Sequence, residues 1–137
     1  MGEGVLNKRS GMRFDGPVSS KVGIGYAVGD GSTVTQITSR ATGVTINALT
    51  GTIQTDTTSL AAEASAVFVV TNSKVAIGDI PVVAIRSGAV ALNTRVTVTA
   101  VAAGSFSITV VNGNVAAGTA ETGAIIINFA IIKGSTT

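Results

Sequence analysis

Residues 95–113 read RVTVTAVAAGSFSITVVNG, two alternating runs on either side of an Ala-Gly pair. In the first run Val96, Val98 and Ala100 share one face, and Thr97, Thr99 and Val101 share the other. In the second, Phe106, Ile108 and Val110 alternate with Ser105, Ser107 and Thr109. Successive side chains of a strand point to opposite faces, so an alternation of period two marks half-buried strands. The spacing predicts a hairpin that turns at Ala103 and Gly104, and Asn112-Gly113 adds a second turn signal.

Outward from this hairpin the same composition recurs in short runs separated by turn-forming residues. Residues 66–71 (AVFVVT) and 80–85 (IPVVAI) are continuously apolar and read as strands buried on both faces. Pro81 has no amide to donate, which places it at the start of its strand or on a sheet edge. Residues 124–133 form the longest apolar run and predict a central strand, or one buried between subunits. Shorter strands are expected over 33–39, 44–47 and 52–55, with Val34 and Gln36 on one face of the first and Ile37 on the other. Helical periodicity is almost absent, and residues 60–64 are the one candidate for a helical turn. The fold class that follows is all-β: an antiparallel, jelly-roll-like β-sandwich of about eight strands. Residues 1–31 are rich in Gly, polar and basic residues and hold no sustained period, so they read as an extended N-terminal arm before a sandwich domain over 32–137.

The residues available for the core are small. A mass of 13.5 kDa over 137 residues reflects the dominance of Ala, Val, Thr and Gly, and aromatics make up 4%. Since hydrophobic stabilisation scales with buried apolar area, at roughly 25 cal/mol per Å², such a core gains little per residue. A mean hydropathy of +0.54 with 12% charged residues implies apolar surface left over for neighbours to cover. The apolar runs are too short for a spanning helix, so no membrane partner is expected. The N-terminal stretch MGEGVLNKRSGMRFDG has no apolar secretory core, and synthesis in a host cytoplasm without export by that route is expected.

The chain contains no His and no Cys. Ser-His-Asp and Cys-His catalysis and thiolate metal sites are therefore excluded, and no cofactor or metal is expected. The seven carboxylates, Glu3, Asp15, Asp30, Asp56, Glu63, Asp79 and Glu121, are scattered and read as solvated turn residues rather than a hydrolytic pair. Gly23, Gly25 and Gly29 do not have dinucleotide-loop spacing, and Asp30-Gly31-Ser32 lacks the acidic ladder of a calcium loop, which leaves a tight turn. The basic residues Lys8, Arg9, Arg13 and Lys21, with Phe14 beside them, form a weak footprint for nucleic acid and a better one for an acidic protein surface.

Three stretches resemble the head-decoration (capsid cement) or head-fibre proteins of tailed bacteriophages: 25–43 (GYAVGDGSTVTQITSRATG), 67–85 (VFVVTNSKVAIGDIPVVAI) and 127–134 (INFAIIKG). The resemblance implies a non-enzymatic virion protein on the outer capsid surface. Its partners would be the major capsid protein and further copies of itself, as a trimer in preference to a dimer. The arm residues Lys8, Arg9, Arg13, Phe14 and Lys21 would make the capsid contact. A head-fibre or glycan-binding module of the virion is the alternative.

Overall fold

A computed structural model describes residues 15–135, in which eight strands and no helix are found. The strands are β1 (Gly31–Thr35), β2 (Val44–Thr45), β3 (Thr50–Gln54), β4 (Ser65–Thr71), β5 (Ile80–Ser87), β6 (Thr94–Ala102), β7 (Ser105–Asn112) and β8 (Ile126–Ile132). They form two four-stranded sheets, β1-β3-β8-β5 and β2-β4-β7-β6. The expected hairpin is present: β6 and β7 pair antiparallel around Ala103 and Gly104, and Gly104 has the left-handed φ of 80° that the turn requires.

The sheets are mixed, whereas the sequence predicts antiparallel pairing throughout. β1 runs parallel to β3 and β2 parallel to β4. Only β6 and β7 are consecutive strands of one sheet; every other connection crosses to the opposite sheet. Two crossings return the chain to its first sheet running in its first direction, so β1 meets β3 in parallel. Turn residues mark where a strand ends, but they do not say whether the chain doubles back or crosses over.

Alternation places the core between the sheets. Phe68, Val70, Phe106, Ile108 and Val110 point inward from one sheet, and Ile53, Ile127, Phe129 and Ile131 from the other. Phe106 and Phe129 meet across the sandwich with ring centroids 5.6 Å apart and planes tilted by 54°, a geometry worth about 0.5–1.5 kcal/mol beyond the area it buries. In β6 a bulge between Val98 and Ala100 leaves Thr99 unmatched. Beyond the bulge it is Val101, opposite Phe106, that packs on the core, while Ala100 is exposed, the reverse of the uninterrupted alternation.

Strands β4 and β5 are not buried on both faces. Val67, Val69, Ile80 and Val82 are 46–56% exposed, because among the described residues no further strand covers the outer faces of the sheets. Strand β8 is interior to its sheet, as expected, and Pro81 lies on the edge strand β5. Residues 60–64 form a tight turn rather than a helical one, with Glu63 at φ 64° and the Ala64 amide donating to the Ala61 carbonyl at 3.1 Å. Residues 15–30 hold no strand and are exposed along their length; the earlier part of the expected arm lies outside the described residues.

Gly51 is the tightest point of the register. A Cβ there would lie 2.5 Å from the Ser32 carbonyl oxygen and 2.9 Å from both Ile46 and Phe129. Gly51→Ala is expected to cost about 1–3 kcal/mol, read as a lower urea midpoint at unchanged m-value. An unchanged midpoint would show that β1 is not seated on β3 in this register.

Candidate functional site

Only one of the five sequence-predicted site residues falls within the described part of the chain. Lys8, Arg9, Arg13 and Phe14 lie outside the described residues, and Lys21 is exposed in a turn. The polar chemistry of the described chain is concentrated elsewhere, at one end of the sandwich, around two buried ionic side chains.

Arg40, in the β1–β2 crossing, is 3% exposed. Its Nε donates to the Thr58 carbonyl, Nη1 to Thr55 Oγ1 at 3.1 Å, and Nη2 to the carbonyls of Glu121 at 3.2 Å and Gly123 at 2.9 Å. Glu121 is wholly buried. Its carboxylate accepts the amides of Val90 at 3.1 Å, Ala91 at 3.0 Å and Gly123 at 2.7 Å, together with the Thr94 hydroxyl. Gln36 extends the network by donating to the Arg40 and Thr42 carbonyls and accepting the Asp56 amide. Asn112 closes it, its side chain donating to Leu60 and Thr119 carbonyls. Among the described residues no buried polar side-chain atom is without a partner.

These groups correct the expectation that the carboxylates are solvated turn residues: Glu121 and Asp79 are buried. Burial pushes the Glu121 carboxyl up, but hydrogen bonds from Thr94, Ala91, Gly123 and Val90 outweigh it and hold the group below its ordinary value. Burial likewise lowers the Arg40 guanidinium, against the attraction of Glu121 and Asp56. Asp79 is drawn down to about 2 by the Ala76 amide, Lys133 and the Gly134 amide. A carboxylate saturated by amide and hydroxyl donors is held ionised and makes a poor proton acceptor, so Glu121 and Asp79 are suited to fastening loops rather than to acid–base work. Among the described residues no group of three or more His, Cys, Asp or Glu side chains could hold a metal ion. The sequence carries little signal for these roles, because a lone Arg or Glu among Gly, Thr and Ala residues looks the same whether solvated or buried.

The second notable feature is the surface. Arg86 and Arg95 are the only charged residues within the eight strands. The outer face of β1-β3-β8-β5 presents Thr33, Thr52, Asn128 and Ala84 in one rung across all four strands. A shallow hollow of about 360 Å³, lined by Thr33, Thr50, Thr52, Asn128 and Arg86, lies on that face. Beside it an apolar groove runs between Ile24 and Tyr26 on one side and Val82, Ala130 and Ile132 on the other. Tyr26 donates its hydroxyl to the Ile131 carbonyl. No protein-family model, curated protein or solved structure matches the chain.

Glu121→Gln would set an amide N–H₂ against backbone donors and is expected to destabilise by about 3 kcal/mol, the cost of leaving buried donors of a charge-assisted network unsatisfied. The folded carboxyls of Asp79 and Glu121 sit below their unfolded values, so their contribution is complete above those values and lost as pH falls through the folded ones. The wild-type urea midpoint should therefore drop on acidification, for Asp79 between its ordinary 3.8 and about 2. Asp79→Asn should flatten part of that drop, and equal slopes in the two proteins would contradict this assignment.

Proposed function

We propose that the chain is a structural virion subunit that decorates the outside of a phage capsid and stabilises contacts between major capsid proteins. The observation that carries this reading is the pair of outer sheet faces: small side chains, half-exposed Val and Ile, and Arg86 and Arg95 as the sole strand charges. Protein interfaces are depleted of charge at their centres, and large apolar patches on a small domain mark association sites. The buried ionic groups fasten loops, which suits a subunit whose task is to be rigid. Homo-oligomerisation and attachment through a basic arm belong to the same proposal, the arm acting through Lys8, Arg9, Arg13, Phe14 and Lys21 on an acidic shell surface. The sandwich is read as a jelly-roll variant. Its eight strands in two four-stranded sheets support this, and the parallel pairs β1–β3 and β2–β4 are its departures.

One observation favours the alternative of a head-fibre or glycan-binding module. The hollow lined by Thr33, Thr50, Thr52, Asn128 and Arg86 offers hydroxyl, amide and guanidinium groups of the kind that hydrogen-bond sugars. Glycan binding by the isolated protein, without attachment to particles, would establish that reading in place of decoration.

Under the decoration proposal, phage particles assembled without the protein should lose an ordered outer density in cryo-electron microscopy and release DNA at lower temperature. Adding back the full chain should restore both. Deleting residues 1–21 should weaken attachment while the sandwich keeps its unfolding midpoint. Particles that look and behave alike with and without the protein would overturn the proposal.

A further inference from the structure

The hollow on the outer face of β1-β3-β8-β5 owes its shape to missing side chains as well as to those present. Gly31 pairs with Thr50, and a Cβ on it would stand 3.6 Å from Thr50 Cγ2. Ala84, opposite Asn128, is short enough for Arg86 to lie inward across the face, where it lines the hollow together with Gly31 and Thr33 of the far edge strand. The hydrogen-bonding groups gathered there are asymmetric. Thr50 donates its hydroxyl to the Phe129 carbonyl at 2.9 Å and Thr52 to Asn128 Oδ1 at 3.1 Å, so towards the hollow both hydroxyls can only accept. Among the described residues the Arg86 guanidinium, the Asn128 side-chain N–H₂ and the Thr33 hydroxyl have no partner. No carboxylate lines the hollow, and that of Asp30, next to Gly31, accepts the Ala27 amide at 3.0 Å.

We infer that the hollow binds a sugar acid, a pyranose that carries a carboxylate beside its hydroxyls. A ligand that satisfies these groups must accept from Arg86, Asn128 and Thr33 and must also donate to Thr50 and Thr52. A carboxylate fills the first role, since it matches the planar fork of a guanidinium, and sugar hydroxyls fill the second. A bare carboxylate, such as an acidic side chain of another protein, has no proton to donate and leaves the two threonines unused. A neutral sugar has the donors but brings no counter-charge to Arg86. No aromatic side chain lines the hollow, so a neutral ring buries little apolar area and charge has to supply the selectivity. At about 360 Å³ the hollow has room for a single ring, in a size range where small-molecule sites begin at roughly 300 Å³. The site rests on the glycan-binding reading of the chain and narrows its ligand from glycans in general to acidic ones.

Titration of the isotope-labelled full chain with glucuronate, glucose and acetate, followed by nuclear magnetic resonance, tests the assignment. Glucuronate should saturate with a dissociation constant on the order of 1 mM, as a few exposed hydrogen bonds allow, and should move the Asn128 side-chain amide and the backbone amides of Thr33 and Thr52. Glucose and acetate should each bind at least about tenfold more weakly, because each satisfies only half of the groups. Raising the salt from about 50 to about 500 mM should weaken glucuronate and leave glucose unchanged. Arg86→Gln, at an exposed position, should keep the unfolding midpoint and weaken glucuronate roughly threefold to tenfold. Acetate binding as tightly as glucuronate would overturn the sugar in favour of a protein carboxylate. Equal binding of glucose and glucuronate, or glucuronate shifts that survive Arg86→Gln, would overturn the site while leaving the chain a glycan binder. Silence towards glucuronate alone removes the site; silence towards a wider panel of neutral and acidic glycans removes the glycan-binding reading with it.

Discussion

The constraint on which the rest of this structure depends is the burial of Arg40 and Glu121 at one end of the sandwich. Six of the seven strand connections cross between sheets without a same-sheet hairpin to hold them, so the crossing loops need another fastening. Arg40, itself in the β1–β2 crossing, supplies it by gathering carbonyls and a hydroxyl from two further loops, and Glu121 by gathering amides from the β5–β6 loop and from its own. Isolated, either charge would be prohibitively costly to bury. Here each is saturated by the backbone groups that the crossings leave unpaired, so the cost of burying the ions and the cost of burying the loop ends offset one another. Asp79 repeats the device on a smaller scale at the loop before β5, where it accepts the Ala76 and Gly134 amides and pairs with Lys133.

With the loops fastened by polar groups, the sheets need contribute only a thin core. Its aromatic content is Phe68, Phe106 and Phe129, and the contact of the last two joins the sheets at their interior strands β7 and β8. Outside that layer the strands present mostly Val, Thr, Ser, Ala and Ile, with Asn128, Arg86 and Arg95 among them, on faces that no further strand of the described residues covers. A rigid, charge-poor slab with fastened loops is a sensible building block, since little conformational entropy remains to be lost when its faces are covered.

How far the sequence could be read follows from where information is local. The hairpin at Ala103-Gly104, the inward set Phe106, Ile108 and Val110, the interior position of β8 and the edge position of Pro81 all follow from period and propensity, which act within a few residues. The parallel pairs do not, because a Gly- or Thr-rich connector has the same composition whether it turns back or crosses over. The continuously apolar runs of β4 and β5 misled for a related reason: apolar residues on both faces signal two covered faces, and among the described residues no strand covers the second. The bulge at Thr99 exchanged Val101 and Ala100 without any mark in the sequence. Glu121 and Arg40 were invisible as anchors because their partners are backbone groups, which every residue carries alike.

The sheet edges bear on how such a slab can associate. Ile131 donates its amide to the Leu49 carbonyl at 2.8 Å, so the odd-numbered residues of β8 bond toward β3. Pro81, opposite Ile131, therefore occupies a position whose amide would point away from β8, out of the open edge of β5, and proline has none to offer. The same edge is interrupted at Arg86 by a register shift between Ile85 and Ser87, and β6 is interrupted by its bulge at Thr99. On the far side of the sandwich the edges are β1, of five residues, and β2, of two. Each edge is thus blunted by a missing donor, a bulge or its shortness, which are the devices that keep sheets from pairing indiscriminately. With the edges blunted, the exposed outer faces are what the sheets leave open to a neighbour. A subunit of the kind proposed would then add neighbours in defined positions instead of extending its sheets without limit.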